Sequence, residues 1–502
     1  MPARHNGRVT EGFTESFTAG LAGYGDGPCI EFEGRWYSGH EVTAYGQAIA
    51  GALHACGVDD DAPVGLVVRN RLQHAAAVVG FLASGRAVSM IYSFQSPDAI
   101  ARDVQQLALS AIIADREDWT EPVRAAAELA GSAGLAISLE SPIVETVAGL
   151  ERRDPSRAHA AAEPGVALQI LTSGTTGPPK RQAIRTHVLE RTVFSVTAGE
   201  KADPDSPPEF AYWQFGGIGV CQLIAGVYNG RRIAMLERFS VDAWVDAIKR
   251  HRVARSGVQP AVIRMLLDAE VPRSDLASLE FLISASGPLD PETRDEFEGR
   301  YGIPIRLAYG ATEFAGSLCA WTPDDLRDFG DSKRNSVGRA LPDTELRIVD
   351  PQTGAELPAG QQGLLEAKVG PLGPDWIRTT DLAAVDADGF VTLYGRADGA
   401  INRGGFKVLP ETVRRVLISH PSVRDACVVG VPDARLGQVP FAAVEIARGA
   451  AAPSDGELKE LVRQSLPAYN VPVAFAVVDE LPRNPALKVS LPAVAALHSG
   501  CP

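Results

Sequence analysis

Short apolar runs alternate with amphipathic stretches along much of this chain, a pattern that predicts a parallel sheet with helices on both faces. Pro63–Val68 and Arg86–Tyr92 read as buried strands, with Gln73–Ala83 as the helix between them. The alternation recurs in strand Arg232–Leu236, helix Val241–His251 and strand Phe281–Ser284. Nearer the N-terminus, Cys29–Phe32 and Arg35–Tyr37 flank Glu33-Gly34 and predict a hairpin. Ser38-Gly39-His40-Glu41 fits a capping box and opens a helix that runs to about Cys56. The texture then changes. Thr344–Val349, Gly363–Val369 and Phe390–Tyr394 are short strands separated by Gly, Pro and Asp turns, a small β-rich unit at about residues 335–395. After Gly395-Arg396 come helix Pro410–Ser419, strand Val423–Val429, helix Lys459–Leu466 and strand Phe475–Val478. Together they are enough for a compact domain of roughly a hundred residues. Ala158–Ala162 reads as a surface connection, and neither a repeat nor a low-complexity tract interrupts the pattern.

A chain of 502 residues is too long for one ordinary core, so two or more domains are expected. Its 45% hydrophobic and 22% charged content is that of a water-soluble globular protein. The formal charge of −14 argues against nucleic acid or an acidic membrane as the main partner. It does not count against a small phosphorylated ligand, which feels local groups. Six cysteines (Cys29, Cys56, Cys221, Cys319, Cys427 and Cys501) lie far apart, so neither structural zinc nor a disulfide framework is expected. Cys221 and Cys319 are expected to be packing residues. Met1–Thr10 has no apolar core of a secretory signal, and no run of about 18 apolar residues occurs. A cytoplasmic location without an integral membrane segment is the expectation.

The chemistry concentrates in Leu171–Lys180, Leu-Thr-Ser-Gly-Thr-Thr-Gly-Pro-Pro-Lys, which follows the apolar run Val166–Leu171. Glycines let backbone N–H groups approach an anion, hydroxyls add donors, and the lysine adds charge. This is the composition of a polyphosphate-holding loop. It is not a Walker A loop, because two prolines separate Gly177 from Lys180. Ala285-Ser286-Gly287-Pro288 also follows a strand, and ligands of such sheets sit beyond strand carboxyl ends.

Four further segments follow in order. They are Tyr309-Gly310-Ala311-Thr312-Glu313, Thr379-Thr380-Asp381, Gly395-Arg396-Ala397-Asp398 with Asn402–Pro410, and Leu481–Lys488. With Leu171–Lys180, this set resembles the acyl-activating, AMP-forming ligase superfamily, most of all its acyl- and aryl-CoA synthetases. The resemblance spans nearly the whole chain. It implies an α/β fold: a large N-terminal domain of doubly wound sheets with a small β-rich subdomain, then a small mobile α+β C-terminal domain. The implied boundaries are residues 1–395, a hinge at 396–398 and residues 399–502, with Lys488 in the last part.

The resemblance also assigns roles. Ser173, Gly174, Thr175, Thr176 and Lys180 would hold the β- and γ-phosphates of ATP, with Thr172 in the same ATP site. Tyr309 would lie against the adenine with Ser286, Gly287 and Pro288 on its other side, and Gly310 and Ala311 would belong to the same ATP site. Asp381 would accept from both ribose hydroxyls, and Arg396 would reach the ribose or a phosphate. Thr312 would contact the α-phosphate, and Glu313 would hold Mg²⁺. Lys488 would bridge the substrate carboxylate and the α-phosphate. The small domain would turn about Asp398, bringing Gly404, Gly405 and Phe406 to line a tunnel for CoA. The implied partners are a small carboxylic acid, ATP and CoA, in a homodimer by default.

Several positions depart from the family pattern. Arg181, Thr380 and Leu487 replace usual glycines, while Asn402 and Arg414 stand where lysine and glutamate are common. Arg181 adds phosphate charge or faces solvent; none of the changes strips out a reacting group. His187 has a helix-cap reading and a functional one. Amino-acid-activating relatives place an aspartate near Gln214, but no carboxylate occurs between Glu209 and Glu237, which disfavours an α-amino acid. Trp213, Gln214, Phe215, Gly216, Gly217 and Ile218, with Phe314, Ala315 and Gly316, suggest an apolar, partly aromatic acyl pocket. Gln214 would contact a polar substituent or sit in the core. The expected enzyme is an ATP-dependent carboxylic acid–CoA ligase. The alternatives are transfer of the acyl group to a carrier-protein thiol or an amine, and a catalytically decayed ATP- or acyl-binding protein.

Overall fold

The computed structural model describes residues 12–172, 180–197, 203, 206–217, 219–397, 399–404, 406–484 and 487–498. Among these, a seven-stranded sheet has the order Val144–Thr146, Ala133–Ile137, Ala111–Asp115, Val64–Val68, Val88–Tyr92, Val166–Thr172, Lys180–Arg185. Its inner pairs are parallel and its two edge pairs antiparallel. Val64–Val68 and Ala111–Asp115 are buried along their whole length, as apolar strands covered on both faces must be. Helix Leu72–Ser84 is buried almost all round and crosses helix Gly39–Ala55 closely. A Cβ on Gly46 would lie 3.1 Å from the Gly80 Cα.

The local signals near the N-terminus act as expected. Pro28–Phe32 and Arg35–Ser38 pair across Glu33 and Gly34, whose φ of 52° and 82° suit a two-residue hairpin turn. Ser38 Oγ accepts from the Glu41 N–H at 3.1 Å, and the Glu41 carboxylate accepts from the Ser38 N–H at 2.8 Å. The hairpin joins Ile233–Met235 and Glu209–Ala211 in a second sheet. A third, parallel sheet contains Arg255–Val258, Phe281–Ser284 and Ile305–Leu307.

Beyond it, Thr344–Val349, Gly363–Val369, Ile377–Val385 and Val391–Arg396 form an antiparallel meander. The small C-terminal domain has Phe406–Val408, Ile401–Arg403, Gly437–Ile446 and Val423–Asp433 in that order, with Phe475–Val478 parallel to Gly437–Ile446. Helices Pro410–Ile418 and Asp455–Ser465 accompany the sheet.

Two boundaries moved for clear reasons. The strand expected from Arg86 begins at Val88, because the Arg86 guanidinium donates to the Asp59 and Ala62 carbonyls at the turn. The helix expected from Lys459 begins at Asp455, where Ser454 and Glu457 form a second capping box. Cys29, Cys56, Cys221, Cys319 and Cys427 are buried and unpaired, and burial pushes the Cys221 and Cys319 thiols up to about 12. Among the described residues, no helix is long and apolar enough to cross a membrane.

Candidate active site

The polyphosphate-type loop leaves the carboxyl end of the central sheet and returns as its edge strand, with Thr172 opposite Lys180. Its neck is tied to the neighbouring strand. Tyr92 Oη donates to the Leu171 carbonyl at 2.6 Å, and Arg181 donates to the Met90 carbonyl at 2.7 Å. Arg181 also pairs with Asp103 at 3.1 Å, so it neither faces solvent freely nor projects as an unpaired phosphate ligand. Thr172 and Lys180 are located by their backbone. Ser173, Gly174, Thr175 and Thr176 lie outside the described residues.

At the end of strand Phe281–Ser284, Ser286 takes φ +70°, a left-handed turn before Gly287 and Pro288. The next strand of that sheet, Ile305–Leu307, leads into Tyr309–Ala311. The Tyr309 hydroxyl donates to Asp381 Oδ2 at 2.6 Å. Burial raises the phenol's pKa well above its ordinary value, and the Asp381 charge adds to that. Asp381 lies opposite Arg396 in the meander, and its N–H donates to Thr379 Oγ1 at 3.0 Å. Thr380 serves the backbone: its carbonyl accepts from the Ala397 N–H at 2.7 Å.

Thr312–Phe314 make one 3₁₀ turn, with Glu313 exposed and Phe314 fully buried. Arg191 and Thr192 pin this segment, donating to the Phe314 and Ala315 carbonyls at 3.0 and 2.7 Å. A Cβ on Gly316 would strike Ser195 Oγ at 2.5 Å. Among the described residues, no group of three His, Cys, Asp or Glu is arranged to hold a metal ion. Mg²⁺ does not require one, since it keeps several waters and takes one or two carboxylates plus phosphate oxygens. Exposed Glu313 fits that donor set.

The segment expected to meet the acid is held by Asn70. Its side-chain amide donates to the Trp213 carbonyl at 2.8 Å and accepts from the Phe215 N–H at 2.9 Å. Trp213 Nε1 donates to the Gly257 carbonyl at 3.0 Å, which leaves the indole faces as its contact surface. Phe215 is fully buried within the large domain's core, whereas Gln214 and Gly217 are half-buried. The Tyr92 ring lies against Gly216, where a Cβ would stand 2.1 Å from it. Ile218 lies outside the described residues.

Lys488 follows Leu487, which takes φ +59°. The loop is braced by Lys488 N–H to Asn484 Oδ1 at 3.1 Å and Asn484 N–H to the Lys488 carbonyl at 2.8 Å. Lys488 is exposed to solvent, with protein around it. This surrounding lowers the amine's pKa, and the Arg396 charge lowers it further. Gly404 takes φ +57° beside Leu436, and Phe406 is exposed and stacked on Tyr469 at 4.8 Å. Asp398 and Gly405 lie outside the described residues. His187 contacts the Pro371 carbonyl at 3.1 Å, tying the turn after the edge strand to the segment that precedes Ile377–Val385.

Sequence reasoning did not single out Asn70, Tyr92 or Arg191. Asn70 and Tyr92 stand at or just past the carboxyl ends of apolar strands, the place where ligands of such sheets bind. That position was the usable signal. Arg191 had none, because its partners, two backbone carbonyls and the Thr344 hydroxyl, lie more than a hundred residues away.

The sequence matches the family model described as AMP-binding enzyme over residues 17–369, and the AMP-binding enzyme C-terminal domain over residues 413–488. It is 30% identical to sulfoacetate–CoA ligase of Cupriavidus necator, over 90% of this chain and 92% of that protein. It is 27% identical to 4-coumarate–CoA ligase 5 of Oryza sativa subsp. japonica, over 89% of this chain and 87% of that one. Among solved structures, it resembles the amide bond synthetase McbA of Marinactinospora thermotolerans, with a TM-score of 0.79 and 25% identity. That likeness covers 97% of this chain and 99% of the other.

Proposed function

The chain belongs to the AMP-binding enzyme family, and from that premise we propose that it is an ATP- and Mg²⁺-dependent carboxylic acid–CoA ligase for an apolar or aromatic acid. The observation that carries the reading is the convergence of Tyr309, Asp381, Arg396 and Lys488. Two cationic side chains and a carboxylate anchored by a phenol come together from the strand that follows the third sheet, the meander and the small domain.

In the first step, a carboxylate oxygen of the acid attacks the α-phosphorus of ATP, and the bond to the departing pyrophosphate breaks. Lys488, a flexible point charge with three donors, lies between the incoming carboxylate and the α-phosphate. Thr172–Thr176 and Lys180 hold the leaving pyrophosphate, and Thr312 contacts the α-phosphate. Asp381 and Arg396 fix the ribose, with Tyr309–Ala311 and Ser286–Pro288 about the adenine. Mg²⁺ at Glu313 would supply neutralising charge to the phosphate oxygens. Catalysis here is mainly positioning and charge neutralisation.

In the second step, the CoA sulfur attacks the acyl carbon and AMP leaves. Residues 399–502 turn on the hinge 396–398, pivoting at Asp398, to bring Gly404, Gly405 and Phe406 to the pantetheine arm. The acid lies against the Trp213 indole face in a pocket bounded by Gln214, Gly216, Gly217 and Ala315. The neutral character of that wall supports an apolar acid.

A screen of pyrophosphate release over benzoates, cinnamates, alicyclic acids and C4–C12 acids, with and without CoA, tests the reading. The expected result is release with at least one acid and CoA-dependent AMP formation. Silence with every acid, while ATP still binds and Lys488→Ala binds it equally, would overturn it. The likeness to an amide bond synthetase favours a second reading, transfer to an amine. Amine and carrier-protein arms of the same assay separate the acceptors.

A further inference from the structure

The two domains meet across a buried cluster of charge that the proposed steps do not consume. Asp290 stands at the N-cap of helix Pro291–Tyr301, yet its carboxylate makes no capping bond. It pairs instead with Arg264 of the same domain and with Arg414 on helix Pro410–Ile418, the latter at 2.7 and 3.1 Å. Arg414 reaches on to Asp425 at 2.6 Å and Glu411 at 3.1 Å within the small domain. Asp425 also takes Arg264 at 2.8 Å and Arg483 at 3.1 Å. Arg483 in turn donates to the Leu487 carbonyl at 3.3 Å, one residue before Lys488. Three guanidinium groups thus balance three carboxylates from a helix N-terminus of the large domain to the lysine loop.

The cluster is largely withdrawn from water. The side chains of Asp290 and Asp425 are 6% and 7% exposed, those of Arg264 and Arg414 8% and 12%. Removing one member of such a network strands a charge in a poorly solvated place, which is costly. Two neighbouring contacts run across the same boundary. Arg424 pairs with Asp268, and Leu487 packs against the apolar core around the third sheet despite its left-handed backbone. The identity of residue 414 is decisive. A glutamate there would face Asp290 and Asp425 with like charge.

We propose that Arg414 is a positioning residue that clamps the domains in the adenylating arrangement and, through Asp425 and Arg483, fixes the loop bearing Lys488. The clamp itself is a property of the chain. Only its assignment to the adenylation step rests on the ligase reading.

Hydrogen exchange on the full-length, ligand-free protein tests the clamp directly. In Arg414→Met, amides of residues 483–489 are expected to exchange roughly ten-fold faster or more, while the inner strand Gly437–Ile446 keeps its protection. Asp290→Asn, made in the other domain, is expected to reproduce the effect, and Arg463→Met on the exposed face is not. Unchanged exchange at 483–489 in both cluster variants would overturn the proposal. So would loss of protection throughout the small domain in Arg414→Met alone, which would mark a folding role. With the acid the screen identifies, Arg414→Met should slow ATP–pyrophosphate exchange about ten-fold yet leave thiolation of the preformed adenylate within about two-fold, with Arg414→Lys recovering part of the loss. Equal loss in both half-reactions contradicts the positioning role. A silent screen removes the ligase reading and leaves the exchange result to decide the clamp.

Discussion

Lys488 shows how surroundings set the chemistry of one amine. A free lysine holds its proton to a pKa near 10.5, but partial desolvation by the surrounding protein and the Arg396 charge both favour the neutral form. The proposed role needs the ammonium. The active form is therefore complete at low and neutral pH and is lost as pH rises through the lowered pKa. For adenylation, kcat/KM against pH should fall on an alkaline limb that lies below the ordinary lysine range, since this profile reports the free enzyme. Arg396→Gln should move that limb upward, whatever it does to the rate itself. A limb that stays in place in Arg396→Gln, or persists in Lys488→Ala, would assign it to another group.

Among the elements, the segment Trp213–Gly217 owes its shape to a neighbour remote in sequence. The Asn70 amide satisfies a part-buried carbonyl and a buried N–H two residues apart, which fixes the segment at the end of strand Val64–Val68. Asn70→Ala would leave both groups without that partner, at a cost of about 2 kcal/mol or more. Chemical denaturation should register the loss, and the KM for the acid should rise with it. A change in stability under about 0.5 kcal/mol would show that water replaces the amide at no penalty. Legibility divides along the same line. Elements with local causes were plain in the chain: the Ser38–Glu41 box, the Glu33-Gly34 turn, strand Phe281–Ser284 and helix Val241–His251. The order of the motifs likewise placed Tyr309 and Asp381 in one set, and the structure joins them by a hydrogen bond. What the chain did not disclose depends on tertiary neighbours. Arg181 reads as a loop cation until Asp103 is seen beside it, and Arg414 as a mere substitution until Asp290 and Asp425 surround it.

At the scale of the molecule, one surface must be made and unmade in each turnover. The proposed rotation withdraws Lys488 and presents Gly404–Phe406, so every contact that holds the lysine in place also opposes the second half-reaction. Buried charge suits such a boundary better than a broad apolar seam. Its pairs are strong only while geometry is right, and the separated groups can regain water once the domains part. The two half-reactions should therefore respond differently to loss of the lysine. Lys488→Ala is expected to slow adenylate formation by a factor of roughly a hundred or more while sparing thiolation of a preformed adenylate, because the amine acts only in the first transition state. Rapid-quench measurement of each step gives the ratio. Equal loss in both would mean that Lys488 serves the two reactions from one fixed position, and the domains would not need to turn.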